Sequence, residues 1–337
     1  TQVRHYQEHG YVIPDFRLPE SVLDDLRARD YPQLDAEGCT YLDYTASSLY
    51  ARSQIERHFS VLRDHVFGNP HSANPTSSRS TALIARTRRH VLDHFGASPE
   101  EWVAIFTANA SHALKLVGES YPFSPGSRYL LTFDNHNSVN GIREFARAKG
   151  ARVDYAPLTM PDLRIDRPAL DALLSAAHAP GRSLFAFPAQ SNFSGVKHPL
   201  DLVADAQALG WHVLLDAAAF VPTNRLDLSA VHPDFVTISF YKMFGYPTGV
   251  GCLLVRNSAL PTLARPWFSG GTVNFASVQG LAHFLSPREA GFEDGTLNYL
   301  GIPAVTIGLR HLERIGLDVI HTRVGCLTEW MLGHLLA

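Results

Sequence analysis

The sequence predicts an α/β fold built on a mostly parallel sheet with helices on both faces, and three observations lead there. From about Glu101, short β-rich runs alternate with helical patterns. The runs are nearly continuous in apolar residues rather than alternating, as strands covered on both faces are. The 337 residues, 45% hydrophobic and 18% charged, supply ample material for a buried core, as one large domain or as a large domain with a smaller lobe.

In chain order, residues 52–65 and 78–95 carry helical patterns joined by the Gly/Asn/Pro-rich loop 68–76, GNPHSANPT. The β-rich runs come next as WVAIFTA, RYLLTF, RVDYAPL, SLFAFPA, HVLLDAA, FVTISF and GCLLV, with helical segments at 138–149, 166–177 and 199–209 between them. A Gly/Ser-rich loop (FSGGT, 268–272), a polar turn (FEDGT, 292–296) and one long helical pattern from Pro303 to the end complete the chain. We divide it into an N-terminal arm or helix (1–40), a large domain (41–300) and a linking helix (301–337) that leads into a small C-terminal domain. The last helix lacks a stop signal, so more protein is expected to follow. The first residue is not Met, so the native start is expected further upstream.

A formal charge of −3, a pI near 6.6 and scattered Lys and Arg give no basic field for nucleic acid or an anionic membrane. A small-molecule substrate is the better expectation. Cys39, Cys252 and Cys326 are widely spaced and form neither a disulfide framework nor a CxxC site, which fits a reducing cytoplasm. No signal-peptide core and no membrane-length apolar run is present. There is no GxSxG, GxxxxGK[ST] or GxGxxG, and the seventeen histidines include no HExxH, so no metal is expected.

Ligands of an open parallel sheet collect at the carboxyl ends of its strands, and four polar positions close apolar runs here. Asp216 ends WHVLLD, where a carboxylate could keep a ring nitrogen protonated, as pyridoxal 5′-phosphate (PLP) requires; a helix cap or an ion pair is the plain alternative. Lys242 ends FVTISFYK one crossover and one strand later, on the same edge, where low dielectric could make it an imine-forming amine rather than one more solvated lysine. A helix begins near Ser111 in FTANASHALK, and its free N–H groups would suit a phosphate, although every strand-to-helix junction has such groups. His136 in FDNHNSVNG could lie against a ring or serve as an ordinary loop residue.

These segments resemble the PLP-dependent class V aminotransferases and cysteine desulfurases, and most closely the N-terminal, desulfurase-like domain of molybdenum cofactor sulfurases. The matching runs include YLDYTASSLY, FGNPHSANP, IFTANASHALKLVGESYPF, DNHNSVNGIRE, FPAQSNFSGVKHPL, LLDAAAFVPTNRLDLS, DFVTISFYKMFGYPTGVGCLLVR, FSGGTVNF and FEDGTLNYL, in order from about Asp25 to Leu300. The resemblance implies the aspartate-aminotransferase-like PLP fold (fold type I), with a seven-stranded sheet and a small C-terminal domain largely beyond this chain.

By the same resemblance Lys242 would be the Schiff-base lysine, Asp216 the pyridinium partner and His136 the ring-stacking residue, with Ala218 on the opposite face. Asn192 would bond the ring's 3-oxygen; Ala110, Ser111 and Ser239 would hold the phosphate. Thr296 would reach the phosphate of a neighbouring subunit, implying a homodimer with shared active sites. The implied substrate is an amino acid such as L-cysteine or a derivative, and the implied activity that of a cysteine desulfurase or C–S lyase. An aminotransferase, epimerase or β-eliminating lyase of secondary metabolism is the alternative, as is a degenerate PLP-fold protein without turnover.

The chain departs from the pattern at several positions. Ala219 and Tyr241 stand where general desulfurases carry Gln and His, as in the sulfurase branch. Asn109 and His112 are unusual in the phosphate loop, so the substrate side of the pocket is expected to differ. The sulfur-accepting cysteine and the carboxylate-binding arginine are expected beyond residue 337. Cys252 reads as core, and Cys326 as a packed thiol rather than a nucleophile.

Overall fold

All seven apolar runs become strands of one sheet in a computed structural model, which describes residues 20–335. The strands are β1 (Trp102–Thr107), β2 (Arg128–Thr132), β3 (Arg152–Ala156), β4 (Leu184–Pro188), β5 (His212–Asp216), β6 (Phe235–Ser239) and β7 (Gly251–Arg256). Their spatial order is β1-β7-β6-β5-β4-β2-β3. Strand β7 is antiparallel to both of its neighbours, and the remaining pairings are parallel. The first nineteen residues of the expected N-terminal arm lie outside the described residues.

The helices are α1 (Glu20–Asp30), α2 (Pro32–Ala36), α3 (Arg52–Asp64), α4 (Pro75–His94), α5 (Ala110–Ser120), α6 (Asn137–Asn140), α7 (Ile142–Ala148), α8 (Arg167–Ser175), α9 (Leu202–Ala208), α10 (Phe240–Phe244), α11 (Ile302–Ile315) and α12 (Leu317–Leu335). Because successive strand residues point to opposite faces, each strand feeds two cores. Phe106, Phe187, Leu215 and Ile238 pack with α4, α8, α9 and α11 on one face. Ile105, Leu131, Ala186 and Leu214 pack with α5, α6 and α7 on the other. Each fully buried Leu or Val contributes about 1.5–3 kcal/mol, so the apolar stripe Ala113, Leu114, Leu116 and Val117 suffices to seat α5 firmly.

Two helical boundaries differ from expectation. The pattern from Pro303 is not one helix, because Gly316, at φ +91, ends α11 in a conformation that a residue with a side chain resists. The segment 138–149 likewise divides into α6 and α7 at Gly141. No described helix is long and apolar enough to cross a membrane. Among the described residues no cluster of His, Cys, Asp and Glu could hold a metal ion.

Candidate active site

A cavity of about 440 Å³ opens at the carboxyl edge of the sheet. Its walls are the segments that leave β1, β2, β4, β5 and β6 and the segment that enters β7. Antiparallel β7 starts where its neighbours end, so Thr248 and Gly249 reach the same edge. Eight predicted positions line this one cavity: Ala110, Ser111, His136, Asn192, Asp216, Ala218, Ser239 and Lys242.

Asp216 is 7% exposed and pairs in register with Pro188 and Thr237 on the flanking strands. Its Oδ1 accepts from Thr237 Oγ1 at 2.9 Å and from the Ala218 N–H at 3.1 Å. Oδ2 has no partner among the described residues, leaving one carboxylate oxygen for a donor in the cavity. Lys242 sits not on β6 itself but in the short helix α10 that comes after it. The half-buried Lys242 side chain makes no hydrogen bond to the described residues, whereas its carbonyl accepts from Ser48 Oγ at 2.7 Å. Gly245 allows residues 48–50 to lie this close: a Cβ there would stand 2.3 Å from Tyr50 N, and its φ is +76.

At the other end, Asn109 caps α5 by accepting from the His112 N–H at 2.8 Å. The Ala110 and Ser111 N–H groups have no acceptor among the described residues and stand open at a positive helix end, where an anion is favoured. Gly251 packs beneath it, since any Cβ would meet Asn109 and Ala110 main chain at 2.5–2.9 Å. Ser239, buried and pairing with Gly251, turns a hydroxyl with no capping bond towards the same end.

His136 caps α6: its Nδ1 accepts from the Ser138 N–H at 3.1 Å, so the neutral ring carries its proton on Nε2. Ser138 Oγ in turn lies 2.6 Å from Ser111 Oγ, tying this loop to α5. Behind it, Asp134 pairs with His198 at 2.8 Å, with side chains 4% and 1% exposed. Burial opposes the charge of Asp134, but the hydrogen bond and charge of His198 outweigh it and hold the carboxyl below its ordinary range. The pair joins the end of β2 to the end of the QSNFSG turn, which carries Asn192.

Thr296 does not join the others, since it lies outside the cavity and accepts from Asn69 Nδ2 at 3.3 Å. Its loop is held by Glu293, which is buried, binds Arg88 through both oxygens at 2.7 and 3.0 Å, and accepts from the Phe106 N–H. His112 is not among the residues that line the cavity: its Nδ1 accepts from the Ala108 N–H at 3.3 Å and its Nε2 stands 3.9 Å from Asp294. Asn109 does line the cavity, as a helix cap. Cys252 is fully buried, with its thiol pushed up by burial, and half-buried Cys326 lies on α12 outside the cavity.

Gln190, Tyr241 and Thr248 also line the cavity and were not singled out as site residues from the sequence. Gln190 and Tyr241 stand two positions beyond a strand and Thr248 in the loop between α10 and β7, where apolar run-length gives no cue to direction. The whole arrangement fits PLP: a lone carboxylate oxygen for a ring N–H, a free amine, and unpaired N–H groups over a glycine for a phosphate.

Comparison with known proteins agrees with this geometry. The sequence profile of the family described as Aminotransferase class-V matches residues 40–337. The molybdenum cofactor sulfurase of Arabidopsis thaliana is 39% identical over 328 residues, covering 87% of this chain; the chain spans only 40% of that protein's length. Among solved structures, an apo cysteine desulfurase from Thermococcus onnurineus NA1 superposes with TM-score 0.77 at 28% identity, covering 90% of this chain and 72% of its own. A C-DES variant holding glycine covalently linked to its PLP cofactor superposes with TM-score 0.70 at 19% identity, covering 86% and 74%, which shows a shared fold.

Proposed function

The chain belongs to the aminotransferase class-V family, and on that premise we propose that it binds PLP through Lys242 and acts on an amino acid, most specifically as a cysteine desulfurase or C–S lyase. The observation that carries the proposal is the convergence of Lys242, the free oxygen of Asp216 and the open start of α5 on one cavity. When bound, PLP supplies an electron sink for the pair left at the substrate's Cα.

The residues of this chain do the rest. Asp216 Oδ2 would hold the ring N–H and keep its charge in place. The Ala110 and Ser111 N–H groups, with the Ser111 and Ser239 hydroxyls, would bind the phosphate. His136 and Ala218 would flank the ring, and Asn192 would bond the ring oxygen. Lys242 Nζ would anchor the cofactor and, as a free amine at the same spot, would serve as the base for the substrate's Cα proton. Ala219 and Tyr241 follow the sulfurase branch rather than the general desulfurases, and Asn109 acts as a helix cap. The residues that would accept sulfur are not assigned in this chain.

We assign Thr296 to the phosphate of a second copy in a homodimer with shared active sites. The support is that it stands outside its own chain's cavity, in a loop fixed by Arg88 and Glu293. The three cysteines are unpaired, which supports a reducing, cytoplasmic setting, and a formal charge of −3 supports a small-molecule partner rather than nucleic acid or an anionic membrane.

The test is spectroscopic and then chemical. Purified protein should bind PLP with a visible absorption band that borohydride abolishes, and Lys242→Ala should lack it; a variant that keeps the band overturns the assignment of Lys242. Incubation of the full-length protein, including the segment that follows residue 337, with L-cysteine should release alanine and transferable sulfur. Pyruvate with sulfide would instead assign β-elimination, and no product from any amino acid would assign a non-catalytic binder.

A further inference from the structure

Gln190 lines the cavity just beyond β4, and its neighbours fix which way its amide points. Lys197 Nζ has only hydrogens to offer, so the Asn224 atom 3.4 Å away is the oxygen, Oδ1. Asn224 Nδ2 lies 3.0 Å from the Phe220 carbonyl, which can only accept, and this fixes the same orientation independently. The same Nδ2 reaches Gln190 at 3.1 Å, and a donor there requires Gln190 to present Oε1. The acceptor of Gln190 is therefore engaged by a side chain only 7% exposed, while Nε2 makes no hydrogen bond among the described residues and is not sealed from the cavity. Ala218 and Ala219, on the next strand end, offer the cavity only methyl groups.

A glutamine oriented in this way holds its oxygen toward Asn224 and leaves the Nε2–H donors as the end free to meet a ligand. It thus selects for oxygen that accepts, and an anionic oxygen gains most from such a bond. We propose that Gln190 is a specificity-determining residue whose Nε2–H donates to an anionic oxygen of the bound ligand, either the phenolate of the cofactor ring or the carboxylate of the amino acid. The inference rests on the reading that this cavity holds PLP. Asn224 and Lys197 act through Gln190 as positioning residues.

The experiment compares PLP-loaded wild type with Gln190→Glu, which reverses the donor, and Gln190→Leu, which removes it. If the partner is the phenolate, the pH at which the visible absorption changes form moves by about one unit or more without any amino acid present, the equivalent of a tenfold change. If the partner is the carboxylate, that pH holds, while the dissociation constant for L-cysteine rises about tenfold or more and that for cysteamine, which lacks the carboxylate, does not. Asn224→Leu should move the same quantity in the same direction by freeing the amide to turn. Gln190 variants that load normally and leave both quantities within about twofold of wild type overturn the proposal. A wild-type protein without the borohydride-sensitive band overturns instead the PLP reading beneath it.

Discussion

Replacing Gly251 with Ala tests whether the start of α5 is the phosphate seat. The new Cβ would stand 2.5 Å from the Asn109 carbonyl carbon, 2.7 Å from Asn109 Cα and 2.9 Å from Ala110 N. All three are main-chain atoms with no rotamer to yield, so strand and helix start must separate by roughly 1 Å to recover ordinary carbon contact. Strand β7 is hydrogen-bonded on both sides, by β1 and by β6, so the displacement falls on Asn109–Ser111. A shift of that size carries an N–H out of hydrogen-bonding range. Each N–H bond to a charged oxygen contributes about 1.5–3 kcal/mol, so losing one weakens PLP binding roughly tenfold to a hundredfold. The crowding itself lowers stability by about 1–3 kcal/mol. The assay is a PLP titration of each cofactor-free protein, read by visible absorption, with thermal unfolding of the same samples in parallel. A Gly251→Ala protein that folds and binds PLP within about twofold of wild type would refute the assignment of Ala110 and Ser111 to the phosphate.

The Asp134 carboxyl, held low by His198 against the effect of burial, contributes stability that is fully present above the ordinary Asp value of about 3.9 and is lost as pH falls through its lower folded value. Asp134→Asn should therefore unfold more easily than wild type at neutral pH, by about 1–3 kcal/mol, and converge with it in acid; a gap that persists unchanged to low pH excludes this role. The hairpin of Val273–Ala276 and His283–Leu285 leaves Phe275 and Phe284 half to two-thirds exposed, with Val278 and Leu281 wholly so. Sedimentation should find the wild type dimeric and the paired Phe275→Asp, Phe284→Asp variant monomeric; a monomeric wild type removes the proposed shared site.

Much of the fold was legible because burial on both faces leaves a plain trace. Runs such as SLFAFPA and HVLLDAA can hardly be solvent-facing, and each became a strand within two residues of its expected limits. Asp216 was legible for the same reason, as a carboxylate closing such a run at the edge where ligands collect. The helical patterns were less exact. Gly316 lies inside a continuous apolar periodicity, and only its positive φ, which composition does not reveal, breaks the helix there. Side-chain direction was least legible: His112 and Asn109 are three residues apart on one helix start, yet one points to Asp294 and the other caps the helix. Gln190 escaped notice because its significance depends on Asn224, thirty-four residues later in sequence.

The reversed strand β7 sets how much slack Lys242 has. Had it been parallel, the chain leaving β6 would have had to travel the full height of the sheet before re-entering, with a long crossover on which the lysine could drift. Instead Ser239 and Gly251 are paired directly, and residues 240–250 form a short connection tethered at both ends and pinned near its start by Ser48. The conformational entropy of that loop is given up when the protein folds rather than when the cofactor arrives. Lengthening the tether between Tyr246 and Pro247 with flexible residues should therefore slow cofactor capture without altering any group that touches the cofactor.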